Sequence, residues 1–298
     1  MTTAAPARIV YVNGTFCPIE QATIPVMDRG FLFADGIYEV SAVLDGRLVD
    51  NEAHLRRLDR CLGEIAITNP HTLAEWVALQ TRLVEVNAVR EGLVYLQVTR
   101  GVWEREFTCP PDIAPSVVMF TQARAVVDVP AARTGVPIIS VPDMRWARRD
   151  IKSLNLLPQV LAKFAARSAG VAEAWMVQDG CVTEGASSTA FIITADGQII
   201  TRPLSQTVLP GITRQSVMAL AGAHGLRLVE RPFTLEEACQ AREAFFTSAS
   251  SFVMPVIRID DRVIGAGVPG PLVSDLRARY IAAARGKNLP GQNFTDKA

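Results

Sequence analysis

Arg149-Asp150-Ile151-Lys152-Ser153-Leu154-Asn155-Leu156-Leu157 is the stretch on which the reading of this chain turns. It follows a strand-like run over 136–141 and leads into a helical pattern over about 154–169, with Ser153 placed as an N-cap. Lys152 therefore falls at a strand-to-helix junction, where the backbone is held while the side chain can face a cleft. Arg145, Arg148 and Arg149 close by oppose a second positive charge and favour the neutral amine that Schiff-base chemistry requires. Lysine is also scarce: only Lys152, Lys163, Lys287 and Lys297 occur, against 26 arginines (30 basic residues less four). Lys163 lies mid-helix beside Leu161 and Phe164, and Lys287 and Lys297 lie in a polar tail. On local grounds alone an ordinary surface lysine fits Lys152 equally well.

The rest of the chain narrows the function classes. It has 298 residues, enough for two ordinary domains, with 49% hydrophobic and 20% charged residues, as in a soluble globular protein. Thirty basic side chains balance thirty acidic ones, which argues against nucleic acid or an anionic membrane surface as a partner. No apolar run approaches the roughly 18–20 residues that span a bilayer, and residues 1–6 show no secretory pattern. Cys17, Cys61, Cys109, Cys181 and Cys239 are scattered and odd in number, so no disulfide framework is expected and a cytoplasmic setting is. His54, His71 and His224 lack metal-site spacing, and no metal is expected.

Strand patterns closed by Asn13-Gly14 and Asp45-Gly46 mark two early hairpins. Leu55, Leu58, Leu62 and Ile65 recur at helical spacing, and 72–89 reads as a second helix. The second half shows hairpins across Asp179-Gly180, Asp196-Gly197 and Asp260-Asp261. It also shows a helix over 212–224 ending at Gly225 and a last one over 272–284. Strands and helices mix without strict βαβ alternation, so the expected fold is α+β in two domains. The expected division is 1–125 as the smaller domain, 126–135 as linker, and 136–298 as the larger domain carrying Lys152.

Gly265-Ala266-Gly267-Val268-Pro269-Gly270 matches the dinucleotide fingerprint G-x-G-x-x-G, but no second strand and no acidic residue follow at the required distance, so it reads as a surface loop. A lysine-bound pyridoxal phosphate needs, besides its amine, an anion site, an acid for the ring nitrogen and a wall against the ring. Gly211-Ile212-Thr213-Arg214 opens a helix after Pro210, where free N–H groups and the dipole favour a phosphate. Glu184 ends a hairpin strand in Thr183-Glu184-Gly185, where a carboxylate meets the second need; a solvated loop glutamate is the competing reading.

Taken together, four ordered motifs carry a resemblance. These are the lysine segment 149–157, Asp28-Arg29-Gly30-Phe31 with Asp35-Gly36-Ile37-Tyr38-Glu39, Thr183-Glu184-Gly185, and Leu209-Pro210-Gly211-Ile212-Thr213-Arg214. They resemble the class IV (fold type IV) pyridoxal-phosphate-dependent aminotransferases, the D-amino-acid transaminase branch in particular. The resemblance implies that Lys152 holds pyridoxal 5′-phosphate covalently and shuttles the substrate α-proton. It implies that Glu184 pairs with the ring nitrogen, Arg57, Ile212 and Thr213 hold the phosphate, and Leu209 packs on the ring. Ala249 stands where relatives use a phosphate-binding threonine, with Ser248 and Ser250 as replacements. Tyr38 and Arg105 would hold the substrate carboxylate; the family's R-x-H element reads Arg105-Glu106-Phe107, so an apolar ring replaces the histidine. The activity implied is ping-pong transfer between a D-amino acid such as D-alanine and a 2-oxo acid such as 2-oxoglutarate, in a cytoplasmic homodimer. Within the fold the alternatives are a branched-chain L-amino-acid transaminase, an (R)-amine transaminase and an aminodeoxychorismate lyase. Outside it the rival is a non-enzymatic relative that only binds the cofactor.

Overall fold

A computed structural model describes residues 7–286; Lys287, Lys297 and the segment 1–6 lie outside the described residues. Two compact units result. The first comprises the chain up to Ala125 together with Ile151–Asn155, and the second comprises Val126–Asp150 and the chain from Leu156 onward. The lysine segment, expected in the C-terminal domain, thus belongs to the N-terminal unit. The stretch 126–135, expected as a linker, folds with the second unit: the buried Arg277 guanidinium donates to the carbonyls of Val126 and Val127, at 2.9 and 2.8 Å.

In chain order the first unit contains β1 (Ile9–Val12), β2 (Thr15–Pro18), α1 (Arg29–Phe33), β3 (Gly36–Leu44), β4 (Arg47–Leu48), α2 (Asn51–Glu64), α3 (Leu73–Val86), β5 (Glu91–Thr99) and β6 (Ser116–Ala123). Its six strands form one antiparallel sheet in the order β2-β1-β6-β5-β3-β4. The helical spacing read in α2 is the face that packs: Leu55, Leu58 and Leu62 are buried with Trp76 and Leu83 of α3 and Val94, Leu96 and Val98 of β5. Each such side chain contributes roughly 1.5–3 kcal/mol by leaving water. Thr72 and Glu75 close a capping box that starts α3 where the sequence pattern places it.

The second unit contains α4 (Pro130–Thr134), β7 (Val136–Pro142), α5 (Leu157–Ser168), β8 (Glu173–Gln178), β9 (Cys181–Gly185), β10 (Thr189–Ile193), β11 (Ile199–Thr201), α6 (Ile212–Ala223), β12 (Leu228–Glu230), α7 (Leu235–Cys239), β13 (Glu243–Ser248), β14 (Phe252–Ile259), β15 (Arg262–Val263) and α8 (Pro271–Ala284). Its sheet runs β12-β11-β10-β13-β14-β7-β8-β9, with β15 paired to β14. Pairings of β7 with β8 and with β14 are parallel. Strands here are apolar without alternation because both faces are covered: Trp175 packs with Phe233 and Ile192, while its neighbours Ala174 and Met176 point the other way, into the cluster under α5.

Helix α5 begins at Leu157, three residues later than the pattern suggests, and Ser153 is not its cap. Residues 151–155 are engaged in extended pairing instead, as described below. The G-x-G-x-x-G segment is a loop before α8, and the N-terminus of that helix is already served: the Glu243 carboxylate accepts from Leu272 N at 3.3 Å and Val273 N at 2.9 Å. Among the described residues no helix is long and apolar enough to cross a membrane, and none of the five cysteines is in a disulfide.

Candidate active site

In the first unit, β4 covers β3 only at Val43 and Leu44, which leaves the edge of β3 near Gly36 open. The lysine segment fills it. Tyr38 N–H donates to Lys152 O at 3.0 Å, Leu154 N–H donates to Gly36 O at 3.0 Å, and Ile37 bridges Ser153. Ile151 anchors the segment in the core beside Leu58 and Cys61. Only glycine fits at 36, because a Cβ there would stand 2.6 Å from Val98 O and 2.8 Å from Leu154 Cδ1. The backbone on both sides of Lys152 is therefore fixed, and its half-buried amine lies 4.2 Å from the centroid of the Tyr38 ring.

Behind this segment α2 presents three polar side chains at helical spacing, His54, Arg57 and Cys61. Cys61 Sγ accepts from Lys152 N–H at 3.4 Å, and burial pushes the thiol up from its ordinary pKa. Arg57 donates through Nε and Nη2 to the two oxygens of Glu39, at 2.7 and 2.8 Å, and His54 Nδ1 meets Glu39 Oε2 at 2.8 Å. Burial alone would raise the Glu39 carboxyl; Arg57, seconded by His54, holds it far below the usual carboxylate range.

Arg105 and Phe107 lie on the exposed loop after β5, around Phe33: the Arg105 guanidinium is 5.5 Å from the Phe33 ring and Phe107 is 5.7 Å from it. Phe107 is 88% exposed. The loop is tied down by buried Arg29, which donates to the carbonyls of Glu106 (2.6 Å) and Phe107 (3.1 Å) and to Asp35 (2.8 Å).

In the second unit, β9 carries Glu184 into a buried position. There it accepts from Arg145 Nη1 and from Leu209 N–H, the latter at 3.3 and 3.2 Å to its two oxygens. Arg145 also binds Asp143, at 2.9 Å through Nε and 2.6 Å through Nη2, and Thr183 Oγ1 donates to Asp143 at 2.6 Å. Burial raises the Glu184 carboxyl above its ordinary value, against the pull of Arg145. Asp143 is buried too, but Arg145 and Thr183 hold its carboxyl down. The arginines expected to discourage charge on Lys152 are thus all ion-paired: Arg145 with Asp143 and Glu184, Arg148 with Asp150, Arg149 with Asp143. The expectation counted the basic side chains of that stretch and neither Asp143 and Asp150 beside them nor Glu184, which the fold brings to Arg145.

Helix α6 begins with buried Ile212 and Thr213, and no side chain caps it at Gly211. A Cβ on Gly211 would stand 2.7 Å from Thr189 Oγ1. Thr189 is paired in register with Thr247, so both side chains share the sheet face at that helix start. Thr247 is buried, and its hydroxyl has no hydrogen-bond partner among the described residues. Ser248 and Ser250 are half-buried and 3.2 Å apart through their hydroxyls, with Ala249 between them. An uncapped helix start, a glycine cradle and an orphaned hydroxyl form a set of donors suited to a phosphate. The residues present therefore fit pyridoxal phosphate. Sequence reading missed Thr189, Thr247, Glu39 and His54, because strand register and helix-to-strand contact made them relevant.

The family model for class IV amino-transferases matches residues 36–259. A D-alanine aminotransferase of Bacillus licheniformis is 37% identical over 270 residues, 90% of this chain and 94% of that one. One of Staphylococcus epidermidis is 38% identical over 91% of this chain and 96% of its own. Among solved structures, a branched-chain amino acid aminotransferase of Escherichia coli superposes with a TM-score of 0.88 at 20% identity, covering 98% and 99% of the two chains. A branched-chain amino acid aminotransferase of T.th., solved with pyridoxamine 5′-phosphate, gives 0.87 at 25% identity, covering 96% of each. The chain belongs to the class IV aminotransferases. It is a pyridoxal-phosphate-dependent enzyme of fold type IV.

Proposed function

We infer that this enzyme moves an amino group between a D-amino acid such as D-alanine and a 2-oxo acid such as 2-oxoglutarate, in a ping-pong cycle. The observation that carries this reading is the 36–38% identity to D-alanine aminotransferases over about nine-tenths of the chain. When bound, pyridoxal phosphate supplies an electron-accepting ring and a carrier for the amino group. The chain's own residues do the rest. The Lys152 amine, fixed at the edge of β3, would move the substrate α-proton to the cofactor carbon that carries the amino group and, in the second half-reaction, move a proton from that carbon to the α-carbon of the new amino acid. Glu184, oriented by Arg145 and by Leu209 N–H, holds the proton on the ring nitrogen. Arg57, the start of α6 at Ile212 and Thr213, and the Ser248 and Ser250 hydroxyls bind the phosphate, with Ala249 contributing backbone only. Leu209 walls the ring. Tyr38 and Arg105 take the substrate carboxylate, and Phe107 offers it no donor. The family resemblance supports a homodimer acting in the cytoplasm.

The test is a half-reaction screen of the purified holoenzyme with single substrates, read by the cofactor's visible absorbance. D-alanine shifts the band and L-leucine does not; Lys152→Ala removes both the band and turnover. A response to L-leucine alone refutes the D-amino-acid reading in favour of a branched-chain one. A response to an (R)-amine alone favours an amine transaminase, the reading that Phe107 in place of a donor would support. A bound band with no response to any amine leaves a protein that only holds the cofactor.

A further inference from the structure

The Asp35–Glu39 motif contains a residue to which the chemistry above gives no task. Glu39 lies on β3 next to Tyr38, and its side chain is 1% exposed. Both its oxygens are used: Oε1 accepts from Arg57 Nε and Oε2 from Arg57 Nη2 and His54 Nδ1. A carboxylate this deep is kept only with its charge matched, and here the match is an arginine that is itself buried. Two parallel bonds to one edge of a guanidinium fix its plane, and with it the direction of every other N–H bond the group makes.

Location makes that plane matter. Arg57 and Cys61 are neighbours on one face of α2, four residues apart, and Cys61 touches the backbone N–H of Lys152. Pyridoxal phosphate carries its aldehyde and its phosphomethyl group on adjacent ring carbons. A cation that serves the phosphate must therefore stand close to the lysine that takes the aldehyde, and Arg57 stands one helical turn from Cys61, which meets that lysine's backbone N–H. An unclamped arginine would have to surrender its side-chain freedom on binding the anion; one already clamped does not.

We propose that Glu39, with His54 as its second partner, is a positioning residue that fixes the Arg57 guanidinium and thereby sets the enzyme's affinity for the phosphate end of its cofactor. The inference rests on the reading of Arg57 as a phosphate ligand. A competing effect has the opposite sign: removing the Glu39 charge makes the surroundings of Arg57 more positive and would tighten phosphate binding. The bidentate geometry decides for positioning, because a misdirected donor loses its bond altogether whereas a charge of changed size only rescales it.

The discriminating measurement is the preference for pyridoxal phosphate over pyridoxal, from titrations of the full-length chain stripped of cofactor. Pyridoxal forms the same bond to Lys152 and lacks the phosphate, so general damage to the fold lowers both affinities and cancels in the ratio. Glu39→Gln should lower the preference by about tenfold or more, the weight of a charge-assisted hydrogen bond, with kcat at saturating pyridoxal phosphate much less affected. Arg57→Gln should lower it at least as far. Should Glu39→Gln fail to fold, Glu39→Asp keeps the charge but reaches only one nitrogen, and must lower the same ratio. If Arg57→Gln lowers the preference while the Glu39 variants leave it unchanged or raise it, the positioning role is overturned and the reading of Arg57 stands. If Arg57→Gln leaves it unchanged, both are overturned.

Discussion

Arg145 is the cation between two buried carboxylates, and replacing it with methionine, similar in length and uncharged, tests the electrostatics of the second unit. In the native protein Arg145 binds both Asp143 and Glu184, and the side chains of all three are at most 6% exposed. Breaking a buried pair by removing one partner costs about 3–5 kcal/mol, because the remaining charge stays buried. For a domain of this size that is a fall of roughly 2–4 °C in melting temperature per kcal/mol. The loss must depend on pH with a definite sign. Asp143 has a folded-state pKa held below its ordinary 3.8, so it contributes stability above that value which is lost as the pH falls. Glu184 is raised above its ordinary 4.5, so its contribution is full below that value and is lost as the pH rises through the folded-state pKa. Without Arg145 the Glu184 carboxyl moves upward, and Asp143, which keeps Arg149 at 3.2 Å, moves upward less. The variant then loses stability as the pH rises from acid to neutral, while the native protein gains the Asp143 contribution over the lower part of that range. Arg145→Met should therefore melt furthest below the native protein at about pH 7–8, with the gap narrowing toward about pH 5. Thermal melts followed by near-ultraviolet circular dichroism across that range measure it. A gap independent of pH, or one worth less than about 1 kcal/mol at neutral pH, refutes the claim that Arg145 neutralises the pair.

Thr247→Val removes a hydroxyl that has no hydrogen-bond partner among the described residues. The apoenzyme should melt within about 0.5 kcal/mol of the native protein, whereas affinity for pyridoxal phosphate, titrated by absorbance, should fall several-fold if that hydroxyl serves the phosphate. Arg105→Ala should raise KM for D-alanine far more than for an amine without a carboxylate, in steady-state kinetics with both donors; equal effects would remove Arg105 as the carboxylate clamp.

Local pattern made much of this protein legible. The hairpins closed by Asn13-Gly14, Asp45-Gly46 and Asp179-Gly180, the packed face of α2 and the stop of α6 before Gly225 depend on neighbours within a few residues. Residue identity likewise made Lys152 the candidate, since a chain with so few lysines leaves little choice, and four motifs in order pointed to the family that the comparisons show. Long-range pairing escaped such reading. Ile151–Asn155 looked like the entry to a helix in the second domain, yet it closes the edge of β3, far back along the chain, because β4 is too short to cover that edge. Arginines counted as a positive cluster are matched by Asp143 and Asp150, two to six residues away, and only Glu184 is brought to Arg145 by the fold.

Sequence by itself therefore pointed to the chemistry of this chain, since the lysine, the helix start and the carboxylate proposed to carry it are set by residue type and local spacing. Tertiary structure alone decided how those groups are held: which unit carries the lysine, that Glu39 clamps Arg57, that Arg145 braces Glu184, and that Thr247 stands unsatisfied beside α6. Hydrogen bonds and buried charges depend on distance in space, and distance in space between residues far apart in the chain is fixed only when strands pair and helices pack.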